Sequence, residues 1–181
     1  MKIGIDISQS IYEGTGVGEY TVRLVEKLLE IDEKNEYMLF FSNRKKFSIF
    51  NFQFSKNPKI RNTKYQIRIF RIPIQLLEFL WNRLHVFPIE WLIGDIDIFL
   101  SSDWLEPPTV RAKKITTIHD LSVLKFPDSY DKKIKSVHTR KLQWALKECD
   151  AILCDSEATK RDAMELLGIE KNKLHVVYLG I

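Results

Sequence analysis

A chain of 181 residues, 45% hydrophobic and 29% charged, is long enough for one domain with a substantial core and too apolar to be disordered. Its net charge of +4 is mildly basic and selects no partner by itself. Cys149 and Cys154, with no His or Cys cluster to join them, make neither a disulfide scaffold nor a metal site, and read as reduced thiols of a cytoplasmic protein.

The N-terminus lacks the apolar core of a signal peptide. Residues 2–7, KIGIDI, read as a short strand, followed by GTGVGEY at 14–20. From Val17 the period turns helical, with Val17, Tyr20, Leu24, Val25, Leu28 and Ile31 on one apolar face. YMLFFS (37–42) and KYQIRIF (64–70) read as strands. Pro73 opens a helix with Ile74, Leu77, Trp81 and Leu84 on one side. The apolar stretch 67–93 is broken by Arg68, Arg71, Glu78, Arg83 and Glu90, which excludes a membrane-spanning helix there.

IDIFLS (96–101) and ITTIH (115–119) are the next strands, and 131–148 is an amphipathic helix with Ile134, Val137, Leu142, Ala145 and Leu146 inward. Strand AILCD ends at Asp155. Ser156 then caps a helix over 157–167, Gly168 closes it, and KLHVVYL is the last strand. Strands alternating with helices, most strands apolar throughout, imply an α/β, mainly parallel sheet with helices on both faces. The chain stops at Ile181 directly after that strand, as at a domain boundary.

Three stretches carry chemistry. Gly14, Gly16 and Gly18 lie between the first strand and first helix, where helix N-terminal amides face the ligand crevice and absent side chains admit a phosphate or sugar. A plain turn is the competing reading. The dinucleotide pattern G-x-G-x-x-G fails, because Glu19 or Thr21 stands where the third glycine belongs, and no GK[ST] completes a P-loop. In TTIHDLSVLKFPD (116–128), His119 stands at the carboxyl end of a strand with Asp120 beside it, so an imidazole there can meet a ligand and an adjacent carboxylate can orient it. Asp155, Ser156 and Glu157 stand at the same sheet edge, Ser156 also as a helix cap.

Together with IPIQLLEFLWNRL, DIDIFLSS, CDAILCDSEATKRDAMELLGI and KLHVVYLGI, these stretches resemble the N-terminal domain of a group 1 glycosyltransferase of GT-B fold, mannosyltransferase-like. The resemblance covers nearly the whole chain. It implies a Rossmann-like, acceptor-side lobe over 1–181, with the donor-binding C-terminal domain absent from this chain and little activity without it. It implies transfer of mannose or a similar hexose from a nucleotide-diphosphate sugar to a glycan or lipid-linked acceptor, with retention and without a metal cofactor. His119 and Asp120 would stand near the chemistry, with Gly16, Val17 and Gly18 beside the donor diphosphate or acceptor. Ser156 and Glu157 would cap the sheet edge near the cleft. A non-catalytic Rossmann-like domain that binds a nucleotide or glycan is the alternative.

Asp103 and Trp104 follow a strand at the same edge and are expected either to line the acceptor pocket or to cover the sheet. Asp95-Ile96-Asp97 imitates a metal-binding D-x-D, but opens an apolar strand and reads as structural. Residues 37–77 contain no Asp or Glu, and the basic, phenylalanine-bearing stretch 44–71 suits an anionic membrane surface at the inner membrane face. A solvated loop remains the alternative. Nucleic acid is not expected, since no binding module is recognisable.

Overall fold

The computed structural model describes residues 1–12, 14–43 and 64–178. Within it β1 (Lys2–Asp6), β2 (Glu36–Ser42), β3 (Tyr65–Phe70), β4 (Ile98–Ser101), β5 (Lys113–Ile118), β6 (Ala151–Cys154) and β7 (Leu174–Val176) form one sheet in the order β3-β2-β1-β4-β5-β6-β7. Each neighbouring pair is parallel. This is the Rossmann-like α/β fold that the alternation of strands and helices implies. The strand order reverses beside β1, so a crevice opens outside the carboxyl ends of β1 and β4.

β2 shows why the sheet must be covered twice. Tyr37, Leu39 and Phe41 pack with Val25 and Leu29 of helix α1 (Gly16–Ile31), while Met38 and Phe40 pack with Leu77 and Trp81. Alternate side chains point to opposite faces, so an apolar run buries completely only between two layers of helices. β3 is the outer strand, and its alternation of half-buried and exposed residues fits an edge. Helices α2 (Ile74–Leu77), α3 (Glu90–Ile93), α4 (Ser122–Lys125), α5 (Lys132–Glu148) and α6 (Glu157–Leu167) complete the chain order.

Caps set the helix ends. Thr15 accepts from the Gly18 amide, Asp131 from Lys133 and Ile134, and Ser156 from Thr159; Gly168 ends α6 at φ 66°. Two inward faces differ from the periodicity. In α1 the buried residues are Gly18, Val22, Val25 and Leu29, and Ile31 is 63% exposed. After α2 the helix widens to a π turn over Glu78–Arg83. Each residue then turns through a smaller angle, so Asn82 is carried inward and Leu84 is left 50% exposed. Strands β3, β4 and β7 are also shorter than the apolar runs suggest.

Of the basic stretch 44–71, residues 44–63 lie outside the described residues; Lys64, Arg68 and Arg71 are exposed. Asp97 precedes β4 and its Oδ2 accepts from the Lys2 amide at 2.7 Å, a structural tie between adjacent strands. Among the described residues no cluster of three or more His, Cys, Asp or Glu side chains is arranged to hold a metal, and no helix is long and apolar enough to cross a membrane.

Candidate functional site

The crevice beside β1 is lined by Asp6, Val17, Tyr20, Ser102, Asp103 and His119, among others. Parallel register builds its centre. Ile118 of β5 pairs with Cys154 of β6, so the next residue on each strand, His119 and Asp155, emerges on the same edge. Their side chains meet: Asp155 Oδ2 lies 2.6 Å from His119 Nδ1. An ionised carboxylate has only lone pairs to offer, so Nδ1–H donates to it and Nε2 is left for a ligand. Both side chains are largely buried, and Thr159 anchors the backbone by donating its hydroxyl to the His119 carbonyl at 3.0 Å.

The expectation that Asp120 orients the imidazole is corrected. Asp120 accepts from the amide and the hydroxyl of Ser122, tying down the loop that enters α4. An Asp two residues before a free amide closes this local turn more readily than it reaches back to its neighbour's ring. The sequence signal for Asp155 was present: two strand-end residues with chemistry, on strands that pair.

The glycine loop divides by residue. Val17 lines the crevice. At Gly16 an added Cβ would meet nothing within 4 Å, so the head of α1 is an open shelf. At Gly18 a Cβ would lie 2.4 Å from the Tyr12 carbonyl oxygen, so that glycine serves backbone packing. Tyr20, the last residue of the stretch, sets its ring edge-on to His119 with centroids 4.8 Å apart, and its hydroxyl lies 3.2 Å from Thr117 Oγ1. Burial, first, and the nearby Asp155 charge raise the Tyr20 pKa against the lowering contact with Thr117, so the phenol stays neutral. Its position one turn into α1 gave no sign of this contact.

Asp6 ends β1 at the floor of the crevice, 3% exposed. Its Oδ1 accepts from the Ser8 amide, and Oδ2 makes no hydrogen bond of normal geometry among the described residues. Burial raises its pKa, opposed by contacts with Ser8 and Ser102. Asp103 lines the crevice, whereas Trp104 does not: its ring packs edge-on to His138 at 5.2 Å and against the core around Trp81. Ser156 caps α6 and Glu157 is exposed in its first turn.

Beneath the crevice runs a buried polar chain. Ser101 Oγ donates to Glu106 Oε2 at 2.7 Å and lies 2.7 Å from Thr116 Oγ1, to which Lys141 Nζ donates. Lys114 Nζ sits 3.1 Å from Glu106 Oε1 and 2.9 Å from Glu148 Oε2, and Glu148 Oε1 is 2.8 Å from His85. No periodicity argument found Lys114 or Lys141, because both charges occupy positions that pattern alone assigns to apolar side chains.

The family model described as Glycosyltransferase Family 4 matches residues 14–181. A comparison with curated proteins finds no match.

Proposed function

From the chain's membership of Glycosyltransferase Family 4, we propose that it is the acceptor-side lobe of a retaining, metal-independent hexosyltransferase. In this reading it moves mannose or a similar hexose from a nucleotide-diphosphate sugar to a glycan or lipid-linked acceptor. The observation that carries it is the His119–Asp155 pair at the carboxyl ends of β5 and β6, whose His119 lines, with Val17 of the glycine loop, the crevice that opens at the switch point beside β1. Such a crevice is where open α/β sheets bind ligands.

Bond breaking at the anomeric carbon leaves positive character on the sugar and negative charge on the departing diphosphate. His119 Nε2 is the group for the donor sugar, held in place by Asp155 and the ring edge of Tyr20. The shelf at Gly16 and Val17 lets a diphosphate or acceptor approach the head of α1, whose dipole favours negative charge, while Gly18 keeps the loop packed beneath it. Asp103 lies on the acceptor side, and Asp120 shapes the adjoining loop. The nucleoside is held by a second lobe, so this lobe alone turns over little donor.

The test is a panel of nucleotide-diphosphate sugars, scored for nucleoside diphosphate release and product, with the protein joined to its donor-binding half. Turnover that survives chelation, with the anomeric configuration retained by NMR, is expected, and His119→Ala lowers it about 100-fold or more, the scale of one lost transition-state contact. Sugar-nucleotide binding without any turnover replaces this reading with that of a binding domain. Turnover unchanged in His119→Ala removes His119 from the chemistry.

A further inference from the structure

A second concave surface lies between the π turn and α5. Asn82, Arg83, Arg140, Gln143, Trp144 and Lys147 line it, and it shares no lining residue with the His119 crevice. Three of the six are cations and none is a carboxylate. Glu148, next along α5, is already committed to His85 and Lys114. Asn82 is satisfied too: its amide donates to the Trp104 carbonyl and its oxygen accepts from the Glu106 amide. The unsatisfied chemistry of the groove is therefore positive charge.

Apolar side chains continue from the groove through direct contacts. Arg83 lies over the Phe79 ring at 5.8 Å. His85 stacks on Trp144 with ring centroids 3.6 Å apart, which fixes the loop 84–87 against the groove wall. Leu84, Val86 and Phe87 of that loop are exposed, and Phe87 meets Trp91, itself 67% exposed, edge-on at 5.2 Å. The loop is held in a costly shape: His85 and Phe87 are non-glycine residues at φ 53° and 73°. Left-handed backbone at such residues is unfavourable and persists where surrounding structure enforces it. Here Trp81 Nε1 donates to the Phe87 carbonyl, the Val86 amide to the Leu80 carbonyl, and His85 is clamped between Trp81, Glu148 and Trp144. Leu84, Val86, Phe87 and Trp91 are thus exposed beside three cations that have no carboxylate partner among the described residues, a surface matched to a partner that is apolar and anionic at once.

We propose that this surface seats the lobe on an anionic lipid bilayer: Arg83, Arg140 and Lys147 meet lipid phosphates while Leu84, Val86, Phe87 and Trp91 enter the headgroup boundary. Charge complementarity selects the bilayer over a neutral apolar partner, and the apolar rim selects it over a nucleic acid. Both faces of Trp144 are already engaged, one by His85 and one side by Lys147 at 5.0 Å, which disfavours a stacked base or sugar there. The proposal deepens the lipid-linked acceptor reading, but its test needs no sugar donor, so the two fail separately.

The experiment is flotation with phosphatidylcholine vesicles, with and without phosphatidylglycerol. Binding to the anionic vesicles alone is expected, falling between about 0.1 M and 1 M salt as the Debye length shrinks from about 10 to 3 Å. Near a membrane each Lys or Arg contributes roughly 1 kcal/mol, so neutralising three in Arg83→Gln/Arg140→Gln/Lys147→Gln weakens partition about 100-fold. The double variant Phe87→Ser/Trp91→Ser weakens it as well, and both variants keep the parent circular dichroism. No flotation, equal binding to both vesicles, or capture by heparin without flotation overturns the proposal. So does unchanged flotation in the folded triple variant.

Discussion

At the scale of single residues, the chemistry of the crevice rests on which carboxylate holds His119. Asp155 Oδ2 sits 2.6 Å from Nδ1, while Asp120 is spent on Ser122. Asp155→Asn is therefore expected to lower transfer about 10–100-fold, the usual cost of removing a partner that orients a histidine, and to change the pH profile of turnover. Asp120→Asn is expected to change it far less. Equal effects of the two variants would refute the assignment. Two glycines make a second paired test. Gly18→Ala forces a Cβ against the Tyr12 carbonyl and is expected to cost about 1–3 kcal/mol in urea unfolding. Gly16→Ala meets open space, leaves stability unchanged or slightly raised, and acts only on transfer if the shelf holds diphosphate or acceptor.

At the scale of elements, the helix from Ile74 and helix α5 are joined through charge as well as through apolar packing. Lys114 of β5 lies between Glu106 and Glu148, and Glu148 reaches His85 just after the π turn. Lys114→Met leaves Glu106 fully buried without its cation, and is expected to cost about 3–5 kcal/mol. Adding Glu106→Gln should recover part of that loss. Burial of Glu148 raises its pKa, but hydrogen bonds from His85 and Lys114 outweigh it and hold the pKa below the usual carboxylate value. A carboxylate depressed in the folded state adds stability above its unfolded pKa and loses it as pH falls through the folded one. The network is thus intact near neutrality and weakens in acid, so folding stability measured down the acid range should fall more gently in Lys114→Met than in the parent. A parallel acid dependence of the two would show that the ion pairs do not carry it.

At the scale of the whole molecule, one unbroken sheet sets the order of local stability. β1, β4 and β5 are paired on both sides and covered by helices, whereas among the described residues β3 and β7 are edges with one neighbour each. Native-state hydrogen exchange is expected to be slowest in β1, β4 and β5 and faster in β3 and β7. Protection of β3 equal to that of β1 would contradict this order. The same topology explains why one edge of the sheet collects the ligand chemistry. All strands point the same way, so their carboxyl ends, with Asp6, Ser101, Ile118 and Cys154, come out together.

The sequence alone determined what local interactions decide. Apolar runs alternating with helical periods specify a covered parallel sheet, because each run buries only between two helical layers. Ser156 and Gly168 mark the ends of α6, because caps act on backbone groups only a few residues away. The positions of His119 and the glycine stretch at strand and helix ends were legible for the same reason. Tertiary structure decided what lies far apart in the chain. It gave His119 to Asp155 through the register of β5 on β6, turned Trp104 to His138, and brought Tyr20 of α1 onto the imidazole. It also buried Lys114 and Lys141 where a periodic pattern expects only apolar side chains. His119 and Asp155 are 36 residues apart and Lys114 and Glu148 are 34 apart, and hydropathy read along a single chain carries no term for a charge neutralised by a distant neighbour.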